Sequence, residues 1–64
     1  MDWYNVKSKL PTAFVPVLCY IPSLKPLPTV HEGYVNTSGM FFMKDRSLNE
    51  HLVTHWADMP EYPE

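Results

Sequence analysis

The chain has very little cysteine and glycine: Cys19 is its single thiol, and Gly33 and Gly39 are its two glycines in 64 residues. One thiol excludes an internal disulfide. Two isolated glycines exclude a glycine-rich phosphate loop and the nucleotide hydrolases built on one. No apolar run approaches the roughly 18 residues of a membrane-spanning helix. The start, Met1-Asp2-Trp3-Tyr4-Asn5, lacks the basic region and apolar stretch of a secretory signal. The expectation is a soluble cytoplasmic protein with no membrane partner. Basic residues are also scarce. Lys7, Lys9, Lys25, Lys44 and Arg46 are scattered against seven acidic residues, for a net charge of −2. Affinity for a phosphate backbone grows with the number of phosphates neutralised, so duplex nucleic acid is not an expected partner. A small anion remains open, because a few cations converging from different subunits suffice to hold one.

What is present is apolar and aromatic: 45% of the residues are hydrophobic, with two Trp, four Tyr and three Phe. That is too apolar for a disordered tail. The length allows one small domain over residues 1–64, in the range where one core barely offsets the entropy of ordering the chain. Without a disulfide, such a scaffold is expected to gain stability from self-association or a metal.

Prolines at 11, 16, 22, 26 and 28 leave no room for an ordinary helix between Leu10 and Thr29. Phe14 to Ile21 reads as a first strand, strongest from Val17, with Pro16 implying an edge or a bulge. Pro22 to Pro28 reads as a linker of polyproline character. Thr29 to Val35 and Met40 to Lys44 read as strands joined by an Asn36-Thr37-Ser38-Gly39 turn. Ser47 and Glu50 fit a capping box for one short helical turn. His51 to Trp56 reads as a last strand with Trp56, Thr54 and Leu52 on one face and His55, Val53 and His51 on the other. The expected fold is therefore mainly β, with small α+β as an option: a twisted antiparallel sheet of three to four strands and at most one short helix.

His51 and His55 stand four apart, and His31 and Cys19 complete a four-ligand inventory for zinc. On a strand, however, positions 51 and 55 lie about 13 Å apart, too far to share an ion, so no metal and no cofactor is expected. Cys19, inside Val17-Leu18-Cys19-Tyr20-Ile21, reads as a buried inert thiol rather than a nucleophile. No catalytic residue is assigned, and an enzyme is not expected.

Trp3, Val6-Lys7 and Leu10-Pro11, followed by Val17-Leu18-Cys19-Tyr20, Gly33-Tyr34 and Met40-Phe41-Phe42, form a recurring pattern. It closes on Val53-Thr54-His55-Trp56 and Met59-Pro60-Glu61-Tyr62-Pro63. The pattern spans nearly the whole chain and resembles a family of short phage and prophage proteins classed as a domain of unknown function. Two departures are the dense prolines of Pro22 to Pro28 and Ala57-Asp58 after the tryptophan. The resemblance implies a phage-encoded accessory protein acting in the host cytoplasm, and it supplies no catalytic residues.

Taken together, these readings predict a homo-oligomer that acts by binding. The leading expectation is sequestration of a small anionic, nucleotide-like host signal to counter host defence, with Lys44, Arg46, His55, Tyr34 and Tyr62 as ligand-binding residues. The cations and the imidazole would meet the anion, and the rings would offer stacking surfaces. The alternative is an inhibitor that binds a host protein through an edge strand or the proline-rich loop.

Overall fold

A computed structural model of the chain describes residues 2–59. Five strands form one sheet in the order β1-β5-β2-β3-β4: β1 Tyr4–Asn5, β2 Val17–Tyr20, β3 Val30–Val35, β4 Phe41–Met43 and β5 His55–Asp58. Every neighbouring pair is antiparallel. Helix among the described residues is confined to two 3₁₀ turns, Pro22–Leu24 and Arg46–Leu48. The chain is thus mainly β, with five strands instead of three or four. The additional strand is β1, two residues long and paired with β5 from the other end of the chain. It is too short for any period to announce it.

The β-branched and aromatic run at Val17–Tyr20 occupies the middle of the sheet, where such residues pack best. Its register sets Cys19 between His31 of β3 and Trp56 of β5. Alternation then sends Val17, Cys19, Trp56 and Met43 to one face. With Ile21 and Val53 they form the buried core, against which Tyr4, Val6, Leu24, Phe41 and Leu48 pack. The connection from β4 to β5 must pass β3 and β2 to reach its place. It does so across this face, bringing Leu48 and Val53 onto the core. Fully burying each such side chain stabilises the fold by about 1.5–3 kcal/mol.

Several local expectations change for physical reasons. The first strand starts at Val17, because Thr12 to Val15 form a turn in which the Val15 N–H donates to the Thr12 carbonyl at 3.3 Å. Pro16 therefore precedes the ladder and deprives it of no donor. The Pro22 to Pro28 segment is not a polyproline stretch. It must bring the chain back from Tyr20 to its partner Val30, and it folds into the Pro22–Leu24 3₁₀ turn, a second turn closed by Leu27 N–H to the Leu24 carbonyl at 2.8 Å, and a cis Lys25–Pro26 bond. Proline at the first turn position presets its φ. The second 3₁₀ turn is capped by Asp45, whose carboxylate accepts from the Ser47 N–H at 3.1 Å and the Ser47 hydroxyl at 2.7 Å, not by a Ser47–Glu50 box. These bonds hold the Asp45 carboxyl below its usual range. The last strand begins at His55, not His51. Val53 is buried with Trp56 while Leu52 is 75% exposed, the reverse of the alternation expected for one continuous strand.

Gly33 is required where it stands. It pairs with Val17 on one side and Met43 on the other. A Cβ built there would lie 2.6 Å from Met43 Cε and 2.7 Å from the Phe42 carbonyl oxygen. The methionine can swing away, but the carbonyl belongs to the neighbouring strand. Gly33→Ala is expected to spread the β3–β4 pair and destabilise the protein by about 1–3 kcal/mol. Denaturant unfolding checks this, and an unchanged midpoint would contradict the packing described.

Candidate functional site

Only one face of the sheet carries the core. Alternation places Leu18, Tyr20, Val30, Glu32, Tyr34, Phe42, His55 and Ala57 on the other, where much aromatic surface stays open to solvent. At one end of this open face lies a hollow of about 380 Å³ lined by Trp3, Tyr20, Val30 and His55.

Three of these residues sit in one row. Tyr20 at the end of β2 is the cross-strand partner of both His55, which opens β5, and Val30, which opens β3. Trp3 reaches the row from just before β1. The rings meet edge to face: Trp3 and Tyr20 centroids are 6.1 Å apart at 62°, and Tyr20 and His55 are 6.0 Å apart at 66°. This geometry suits the ring quadrupoles. Trp3 is 39% exposed.

His55 Nδ1 lies 2.9 Å from the Thr54 hydroxyl, which orients the imidazole. Its Nε2 has no hydrogen-bond partner among the described residues. The hydroxyl can donate or accept, so Nε2 carries either a proton or a lone pair. The other two histidines are engaged elsewhere. His31 Nε2 lies 2.8 Å from the Pro28 carbonyl, and His51 Nδ1 lies 3.3 Å from the Ser23 hydroxyl. No group of three His, Cys, Asp or Glu side chains is placed to hold a metal ion among the described residues.

Of the residues expected to bind an anion, Tyr34 and Lys44 are diagonal neighbours across β3 and β4, whereas His55 lies across the sheet from them. Tyr34 lies in β3 and His55 in β5. Lys44 follows β4, and Arg46 opens the second 3₁₀ turn. Lys44 and His55 are separated by three strand spacings, about 14 Å. Tyr34 is four residues along β3 from Val30, about 13 Å from the hollow. Tyr62 lies outside the described residues. Trp3, Tyr20 and Val30 escaped the sequence reading as site residues, because only the pairing of β1, β5, β2 and β3 brings them together.

A second hollow of about 500 Å³ runs between Leu10, the Gly39 turn and the 49–53 segment. Its walls are mostly loop residues, with Phe41 of β4, and Ser38, Asn49 and His51 are its polar side chains.

No protein-family model matches the chain, and no curated protein or solved structure is significantly similar to it.

Cys19 lies wholly within the core, and burial pushes its thiol up to about 11. The thiolate is the reactive form, so the native thiol is expected to resist alkylation at mildly alkaline pH and to react fully once the chain unfolds. Because the unfolded thiol loses its proton first, stability should hold below about pH 9 and fall above it. Rapid labelling of the native protein by a thiol reagent would contradict this burial.

Proposed function

We propose that this chain is a non-enzymatic binding protein whose open sheet face takes up a flat ring in the Trp3–Tyr20–His55 hollow. The observation that carries this reading is the convergence of three rings and one aliphatic side chain on a single shallow depression, with the His55 Nε2 free to form a directed hydrogen bond. Such a surface suits a purine or a similar heterocycle, which stacks by its face and is read at its edge. The resemblance to short phage proteins supports a role as a phage accessory factor, and the ligand class is then a nucleotide-like host signal removed by binding. In this reading the rings that line the hollow supply most of the affinity.

A specific observation favours one other reading. β4 is the last strand of the sheet: no further strand pairs with its outer edge among the described residues, where the Met43 N–H donates to the Asn49 side-chain oxygen at 2.6 Å, and Phe41 and Phe42 are half-buried on its two faces. An extended segment of a host protein added to that edge would gain main-chain hydrogen bonds and aromatic contact together.

Titration with adenine and guanine nucleotides, followed by tryptophan fluorescence, tests the first reading. Quenching is expected in the native protein. Trp3→Ala, whose affinity is read by calorimetry because the reporting ring is gone, is expected to bind at least about tenfold more weakly, in line with roughly 1–3 kcal/mol per stacked base. Unaltered fluorescence at millimolar nucleotide, or equal affinity in the variant, would remove the hollow as the site.

A further inference from the structure

The other end of the open face combines charge and exposed rings. The Lys44 N–H donates to the Glu32 carbonyl at 3.0 Å, which extends the β3–β4 ladder one step past Met43 and sets Lys44 opposite Glu32. By alternation both side chains project from the face that lacks the core. No ion pair within 4 Å joins them; the one such pair among the described residues is His51 with Glu50. An anion and a cation thus lie side by side with neither committed to a partner.

Rings lie on one side of this pair. Tyr34 and Phe42 are stacked with centroids 5.7 Å apart, and Phe14 lies 5.9 Å from Tyr34 on its other side. Phe14 is 63% exposed and has a φ of 65°. A bulky residue in the left-handed region is a true outlier. It is held there by its N–H, which donates to the Val35 carbonyl at 2.8 Å. The strained residue therefore buries little of its own surface and presents its ring on the sheet face beside Tyr34.

We propose that a second copy of this chain seats on this patch as a two-fold pair, in which Glu32 meets the partner's Lys44 and Lys44 meets the partner's Glu32. A two-fold interface must be complementary to itself, and adjacent opposite charges meet that condition when the axis passes between them. Packed sheets stand about 10 Å apart, a gap that a glutamate and a lysine side chain bridge from opposite sides. The Phe14, Tyr34 and Phe42 rings fill the space beside the charges and exclude water from that side. A partner of one charge sign finds no net charge here to attract it, which favours a second copy. The inference does not rest on ligand binding, because the hollow at Val30 lies beyond the patch on the same face.

Sedimentation equilibrium of the full chain, from micromolar to hundreds of micromolar protein, tests the pairing. A reversible monomer–dimer equilibrium that weakens with added salt is expected. Glu32→Lys and Lys44→Glu should each weaken the dimer by about tenfold or more, because each places like charges against one another twice. The double swap, Glu32→Lys with Lys44→Glu, should restore it to near the native strength. A monomer throughout the range, singles that dimerise like the native chain, or a double swap as weak as the singles would overturn the proposal. The double variant also guards against misfolding, since restored mass requires a folded chain. Mass reports the pairing and Trp3 fluorescence reports the hollow, so failure of one is distinguishable from failure of the other.

Discussion

The rest of the structure depends on the placement of Trp56. Its ring is 3% exposed and lies tilted against Tyr4 at 4.8 Å, and its backbone pairs with Cys19 on one side and Tyr4 on the other. Its indole N–H donates to the Lys9 carbonyl at 2.8 Å. A buried indole nitrogen without a partner is costly, so this bond fixes the path of the N-terminal segment as well as the ring. Lys9 adds its ammonium over the Tyr4 ring at 4.5 Å, a favourable cation–π contact. One side chain from the last strand thereby ties the first strand to the middle of the sheet. Removing it would open the core and release β1 together.

A chain this short has apolar material for only one covered face. The β4–β5 connection, the Pro22–Leu24 turn and the segment after β1 all supply side chains to the same core. The opposite side is covered only in part, by Trp3 against Tyr20 and Phe14 against Tyr34, with Ala57 buried between its neighbours. The two ends of that open face differ in kind. One is a hollow of edge-to-face rings with a single imidazole, and the other is a stacked aromatic patch beside two opposite charges that do not pair with each other. The first suits a small flat ligand and the second suits a surface like itself, which is why one face carries two separate proposals.

Much of the fold was legible because its signals are local. Val17–Tyr20 is β-branched and aromatic, and Asn36 to Gly39 supply a turn in which the Asn36 side chain accepts from both the Ser38 and Met40 N–H groups at 2.9 Å. Gly39, at φ +83°, takes the backbone geometry that glycine tolerates best. The role of Cys19 as a buried thiol also followed from its setting. What was not legible lay where tertiary packing overrides local pattern. The 51–54 segment alternates like a strand but is a crossing, and Asp45 took the capping position from Ser47. Of the candidate site only His55 was visible, since cationic residues drew attention to Lys44 and Arg46 while the rest of the hollow is Trp3, Tyr20 and Val30.

The amino-acid sequence by itself determined that this is a small β protein without disulfide, phosphate loop or helix over its first half, because those outcomes depend on residue counts and on proline chemistry that no context alters. It also determined the β2, β3 and β4 strands and the turn before β4. Only the tertiary structure decided that β5 inserts between β1 and β2, that a two-residue strand completes the sheet, and that Trp3, Tyr20, Val30 and His55 share one hollow. The physical reason is sequence separation. Contacts between residues far apart in the chain leave no period or motif behind, and they are selected by which pairing buries Trp56 and Cys19 together.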